Sequence, residues 1–253
     1  MSEQSEMAVE RSVNDATDAN LVADSISTGY GNHQIIFDVS VHSRDGVTCI
    51  FGPNGSGKST VLKALAGIIP VWDGTVTHDG EDITDLKSRK IIEHGVVSLP
   101  QHGGLFGSLT IRENLLLGGH AIKDNALVEE RLQEVYEMFP ILEEKKSEKA
   151  RTLSGGQQMM LSFGRATISG ADTYLLDEPS AGLAPHLVSD VFENIERLAD
   201  QGKQIILVEQ NVTAALRIAD YVYILAQGKT QFDGTPSALS EEEQLLDLYL
   251  GIT

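Results

Sequence analysis

Cysteine is nearly absent. Cys49 is the only one in 253 residues, so no internal disulfide can form, and its place in the apolar stretch VTCIF reads as a small buried hydrophobe in a reducing compartment. Long apolar runs are missing too. The N-terminal stretch MSEQSEMAVERSVNDATDAN has no apolar segment of signal-peptide length, and no run approaches the ~18 residues of a membrane span. The expected location is therefore cytoplasmic, with membrane contact only through partners. Basic residues are scarce: 19 Lys and Arg stand against 37 Asp and Glu, a formal charge of -18, with no basic stripe set apart. That balance argues against a nucleic-acid partner. The acidic excess fits a well-solvated surface or a high-salt cytoplasm, where screening shrinks to a few ångströms, and composition does not separate the two. Internal repeats and low-complexity tracts are absent. A hydrophobic content of 41% is enough for an ordinary core.

What is present is concentrated in three places. VTCIF at 47–51 reads as a strand, TVLKALAGII after it as a helix, and between them stands GPNGSGKS. Strand, glycine-rich loop and helix come in the order a phosphate site requires. Gly52, Gly55 and Gly57 let the backbone bend so that successive N–H groups converge on phosphate, with Pro53, Asn54, Ser56 and Thr60 completing the binding segment and the helix N-terminus adding its partial positive charge. Lys58 is placed for the β- and γ-phosphates and the Ser59 hydroxyl for Mg²⁺. A local backbone field of this kind explains how so acidic a chain can hold an anion.

TYLLDEP at 173–179 delivers Asp177 to the end of a strand, where it can hold Mg²⁺ through water, and Glu178 follows, placed to orient an attacking water. The third place is LSGGQQ at 153–158, leading into a helix-compatible stretch. Ser154 is suited to cap that helix. Two glycines are a costly choice for a cap alone, since each weakens a helix by ~1 kcal/mol relative to Ala. Gly155 and Gly156 therefore suggest a second phosphate-directed surface.

The P-loop, LSGGQ and LLDEP, in this order, resemble the nucleotide-binding subunit of an ABC transporter, from about Leu21 to the C-terminus. The resemblance implies an α/β P-loop NTPase fold with a mostly parallel sheet core, an antiparallel β region and a helical subdomain. It implies ATP and Mg²⁺ as cofactors, transmembrane permease subunits as partners, and a position on the inner face of the cell membrane. It also implies a dimer with the same or a paralogous chain, in which Ser154, Gly155, Gly156 and Gln157 of one subunit close over ATP held by the other. Tyr30, in STGYGN, matches the aromatic that stacks on adenine. Gln101, ending VVSLPQ, matches the glutamine that reaches Mg²⁺ and the attacking water. SAGLAP at 180–185 matches the loop that crosses the dimer interface, although the family's common form has an Asp where Ala184 or its neighbour stands.

One departure narrows the family. Most relatives end the strand after the catalytic Glu in a His that contacts the γ-phosphate; here the strand IILVEQN brings Gln210 to that place, and all seven histidines lie at or before His186. An amide donates a hydrogen bond but does not titrate, whereas His changes charge near pH ~6.5. LVEQN, with PSAGLAP, DGEDIT, IRENLLLGG and the terminal YLG, resembles one of the two ATPase subunits of branched-chain amino acid importers, with urea or amide uptake as close cousins. Gln101 departs the other way, since many members of that subgroup have Glu there. Rival readings are a lipid or polysaccharide exporter and a soluble ABC ATPase of translation or DNA maintenance; the single module without a long heptad run argues against the second.

Along the chain, residues 1–20 are polar and acidic and are expected to be a disordered tail, ahead of an ABC ATPase domain over 21–253. Strands surround the P-loop up to about Pro100, with turns expected at DGT and HDGED. Residues 101–165 read mainly as helices, including the amphipathic ALVEERLQEVYEMF, and form the expected helical subdomain. Strand and helix then alternate to about residue 233. Ser240 with Glu243 reads as a capping box before a last helix, QLLDLYL.

Overall fold

The computed structural model describes residues 20–100 and 104–242. The expected N-terminal tail, Gln101 and the expected QLLDLYL helix lie outside the described residues, Asn20 excepted. The strands are β1 (Leu21–Tyr30), β2 (His33–His42), β3 (Val47–Phe51), β4 (Val71–His78), β5 (Glu81–Asp82), β6 (Val96–Leu99), β7 (Thr173–Asp177), β8 (Gln204–Val208), β9 (Tyr221–Ala226) and β10 (Lys229–Gly234). The helices are α1 (Lys58–Leu65), α2 (Ser88–Glu93), α3 (Ile111–Gly118), α4 (Asn125–Met138), α5 (Pro140–Glu144), α6 (Gly155–Ser169), α7 (Pro185–Asp200), α8 (Val212–Ile218) and α9 (Pro236–Ser240).

Two sheets carry the site. One is six-stranded in the order β10-β9-β3-β8-β7-β6, parallel throughout except for the antiparallel β10–β9 pair. The other is antiparallel, β2-β1-β4-β5. The apolar strand runs in the sequence follow from this arrangement, because a parallel sheet is covered on both faces. Cys49, Phe51, Tyr174, Leu176, Ile205 and Leu207 enter a core shared with α6 and α7. Ile50, Leu175, Ile206 and Val208 alternate with them into a second core shared with α1 and the antiparallel sheet. Cys49 is fully buried, as its setting suggested, and burial, with the nearby Glu209 and Asp220 charges, pushes its thiol well above the ordinary range, which leaves it unreactive. A consequence for the site is that α1 and α6 lie on opposite faces of the six-stranded sheet.

The turn expected at DGT is not there: Asp73, Gly74 and Thr75 run inside β4. The pairing with β1 shifts register between Asp24 and Ser27, and a Cβ on Gly74, at φ +83, would meet the Ser25 carbonyl oxygen at 2.4 Å. The glycine marks a bulge, where backbones approach closely, and not a chain reversal. The HDGED turn is present, with Asp79 and Gly80 at positive φ between β4 and β5. In α4, Leu132, Val135 and Tyr136, with Phe139 behind them, are buried, so that stripe is core.

Asn114 in α3 shows how the helical segment holds its loops. Fully buried, it accepts from Phe106 N at 2.9 Å and donates to the carbonyls of Phe106 and Thr110 at 3.0 and 2.9 Å. Asn114→Ala strands these groups away from water and is expected to destabilise the protein by about 2–3 kcal/mol. A thermal melt reads this as a midpoint lower by roughly 5–10 °C for a chain of this size.

Candidate active site

β3 delivers the glycine-rich loop and α1 receives it. Gly57 caps α1 at φ 105, a left-handed conformation, and a Cβ there would stand 2.4 Å from Ile36 Cδ1, so only glycine fits. Gly52 and Gly55 also have positive φ, and nothing lies within 4 Å of a Cβ built on Gly55, which leaves the loop open on that side. Pro53 and Asn54 are exposed, while Ser56, Lys58 and Thr60 are buried and Ser59 is half-buried. Ser56 Oγ is buried without a hydrogen-bond partner, a polar atom in the loop still open to a ligand. Lys58 Nζ donates to the carbonyls of Gly52 and Pro53 at 2.8 and 3.1 Å, and Gly228, in the β9–β10 turn, pins the loop by donating to Ser56 O at 3.0 Å. Burial pulls the Lys58 ammonium below the usual lysine range, and the Glu178 and Asp177 charges oppose that pull.

Strand order places the acids. β8 lies between β3 and β7, so the residues that leave β8 emerge between the glycine-rich loop and the end of β7. Ser59 Oγ donates to Asp177 Oδ1 at 2.9 Å, which brings two of the three expected Mg²⁺ ligands together from positions far apart in sequence. Burial raises the Asp177 carboxyl, the Ser59 hydrogen bond lowers it, and the Glu178 charge raises it further against the weaker pull of Lys63 and Lys58. Glu178 has φ 50, a left-handed conformation that costs a non-glycine residue ~1–3 kcal/mol and persists only where the surroundings hold it. Its carboxylate Oε1 accepts from Gln210 Nε2 at 2.8 Å. Gln210 therefore ends its strand against the Glu178 carboxylate.

The remaining expected site residues lie apart from this centre. Tyr30 ends β1, is 45% exposed, and has Lys63 Nζ at 5.7 Å over its ring and 3.4 Å from its hydroxyl. Ser154 is the exposed N-cap of α6 and forms a capping box with Gln157: Gln157 N donates to Ser154 Oγ at 3.4 Å, and Ser154 N to Gln157 Oε1 at 3.2 Å. The two glycines also have a packing reason. A Cβ on Gly155 would meet Leu183 Cδ2 at 2.7 Å and one on Gly156 Leu187 Cδ2 at 3.1 Å, so the start of α6 packs against the SAGLAP loop and α7. Gln101 lies outside the described residues. Sequence reasoning missed two residues: Lys63 beside Tyr30, which carries no motif signal, and Glu209, whose only signal is an acid directly after an apolar strand.

A glycine-rich loop between β3 and α1, with an acid pair at the end of β7 and a polar residue leaving the strand between them, defines a P-loop nucleoside triphosphatase. Comparison with known proteins is more specific. Residues 37–181 match the family model described as ABC transporter. The high-affinity branched-chain amino acid transport ATP-binding protein BraG of Pseudomonas aeruginosa is 40% identical, the match covering 90% of this chain and 98% of that protein. The probable branched-chain amino acid transport ATP-binding protein LivF of Archaeoglobus fulgidus is 38% identical over 90% of this chain and 97% of its own length. The crystal structure of the ADP conformation of an ATP-binding cassette of an ABC transporter superposes with a TM-score of 0.83 at 26% identity, covering 93% of this chain and all of that one, 100%. The chain belongs to the ABC transporter family, and it is an ATP-binding subunit and an ATPase.

Proposed function

We propose that the chain is the ATPase of an importer for branched-chain amino acids, working as a dimer at the inner face of the membrane and driving permease subunits. The observation that carries the catalytic part is the convergence of Ser59–Asp177 and Glu178–Gln210 at the ends of three neighbouring parallel strands. The solute is taken from the names of BraG and LivF. Among the described residues no helix is long and apolar enough to cross a membrane, in keeping with contact through partners. A groove of about 620 Å³ lined by Ile92, Val97, Leu99, Phe106 and Leu117, between the core sheet and the helices of residues 101–165, suits a permease loop; Ile92, Phe106 and Leu117 are exposed apolar side chains there. Copurification with membrane subunits and identification of the bound solute test the proposal; a complex that retains a lipid or binds urea instead would replace the solute.

Within this reading, the amides of residues 52–60 and Lys58 hold the phosphates, and Tyr30 stacks on adenine. Ser59 and Asp177 supply the hard oxygen donors that Mg²⁺ takes, one carboxylate beside substrate phosphates being its usual protein share. When bound, Mg²⁺ supplies charge neutralisation on the β- and γ-phosphates. Gln101 belongs to the same set. Glu178 polarises the attacking water, and the Gln210 amide holds that carboxylate by donation to Oε1. The second subunit's Ser154, Gly155, Gly156 and Gln157 complete the site. α1 and α6 stand on opposite faces of the sheet, an arrangement that favours contribution in trans.

Gln210→Ala removes one hydrogen bond to a charged group, ~1.5–3 kcal/mol, and is expected to slow hydrolysis about ten- to a hundredfold with little change in ATP binding. Gln210→His restores a donor and adds an ionisation near pH ~6.5 that the wild type lacks at this position. Turnover against pH for the three proteins checks this, with any paralogous partner ATPase inactivated. An unchanged rate for Gln210→Ala would reduce the residue to strand-end polarity.

A further inference from the structure

An acid beside the hydrolytic centre has no part in the reaction described above. Glu209 is 2% exposed at the end of β8, and its carboxylate is met by backbone donors from two segments. Oε1 accepts from Ser180 N at 2.9 Å; Oε2 accepts from Gln210 N at 2.9 Å and Asn211 N at 3.2 Å. Ser180 stands in the turn after β7, the turn that carries Glu178 in its left-handed conformation. Three backbone bonds also tie that turn, Glu178 N to Val208 O at 2.9 Å, Ala181 N to Glu178 O at 3.1 Å and Leu183 N to Ser180 O at 3.2 Å. Gln210 then returns through its side chain to Glu178 Oε1 at 2.8 Å. The bonds close a ring: the Glu209 carboxylate, the Ser180 amide, the turn, the Glu178 carboxylate, the Gln210 side chain, and the Gln210 amide back to Glu209.

The chemistry of the ring is specific to a carboxylate. Both oxygens are acceptors, so one side chain can receive donors from two loops at once, while an amide offers one acceptor and turns its own N–H groups toward backbone N–H. A strained turn relaxes unless it is held, and a polar group this deeply buried must keep its partners. We propose that Glu209 is a positioning residue for hydrolysis: it sets the Glu178 turn and the Gln210 backbone in one register, so that the carboxylate addressing water and the amide beside it stay aligned. The effect of Glu209 passes through Glu178 and Gln210, and the assignment rests on the reading of Glu178 as the water-polarising group.

The test uses the ATPase–permease complex and measures kcat and KM for ATP, the thermal midpoint, and amide hydrogen exchange. Glu209→Gln is expected to lower kcat roughly 10- to 100-fold, as small misplacements of reacting groups do, with KM within about twofold. The amides of Ser180 and Gln210 should exchange faster while those of residues 52–60 do not. On a Glu178→Gln background the same change should cost less than about twofold, because the group it positions is already disabled. If Glu209→Gln does not fold, Glu209→Asp keeps the charge with a shorter reach and should show the same split in milder form. Wild-type kcat in the folded variant, or a fall in kcat accompanied by equal changes in KM and midpoint, overturns the proposal. Should Glu178→Gln itself retain wild-type turnover, the reading of Glu178 has failed; if Glu178→Gln is inactive and Glu209→Gln is normal, only the positioning role has failed.

Discussion

Glu178→Gln is expected to bind ATP as the wild type does and to hydrolyse it about 10²–10⁴-fold more slowly, the usual range for loss of a general base. The structure makes this substitution a clean one. Gln210 Nε2 donates to Glu178 Oε1, and a glutamine at 178 can present its carbonyl oxygen to the same donor, so the turn and its neighbour keep their places while the charge is lost. The P-loop, with Lys58 and the Ser59–Asp177 pair, is untouched. The protein should therefore accumulate as an ATP-bound dimer, visible by size-exclusion chromatography in the presence of ATP. Steady-state hydrolysis near the wild-type rate would remove Glu178 from the chemistry.

Ser154→Arg should leave ATP binding to the isolated subunit intact and abolish ATP-driven dimerisation. Ser154 is exposed at the first turn of α6, on the opposite face of the sheet from α1, so bulk added there faces away from its own phosphate loop and, in the proposed dimer, toward the second subunit. The substitution also removes the cap on Gln157 N, which costs ~0.5–2 kcal/mol of helix stability. Ser154→Ala separates the two effects, because it loses the cap without adding bulk. Binding by calorimetric titration and dimerisation by light scattering should part company for Arg and change far less for Ala. If binding and dimerisation fail together in Ser154→Arg, the LSGGQ segment serves its own subunit.

Where the chain reveals a site in consecutive residues, reading and structure agree. VTCIF is β3 residue for residue, and TYLLD is β7. Both are short apolar runs closed by a glycine-rich loop or by acids, a local signal that needs no tertiary knowledge. At DGT a strand stands where a turn was expected, because a glycine opposite a bulge and a glycine in a turn look alike in one dimension; the carbonyl of Ser25, close to Gly74, tells them apart. The packing role of Gly155 and Gly156 is hidden in the sequence for the same reason, since Leu183 and Leu187 come from another segment.

By itself the sequence determined that the chain is an ABC-type ATPase, and it pointed to a candidate phosphate loop and a candidate acid pair. Those properties reside in contiguous backbone and in strand ends that any P-loop fold must supply. Only the tertiary structure decided what Gln210 touches, that Glu209 reaches across to Ser180, that Ser59 meets Asp177, and that α1 and α6 face apart. Each depends on strand order: β8, late in the chain, inserts between β3 and β7, and nothing in its four apolar residues, Ile205 to Val208, specifies its neighbours. Burial on both faces makes any of the inner positions acceptable to an apolar strand, so the choice among them falls to the packing of the whole sheet and its helices.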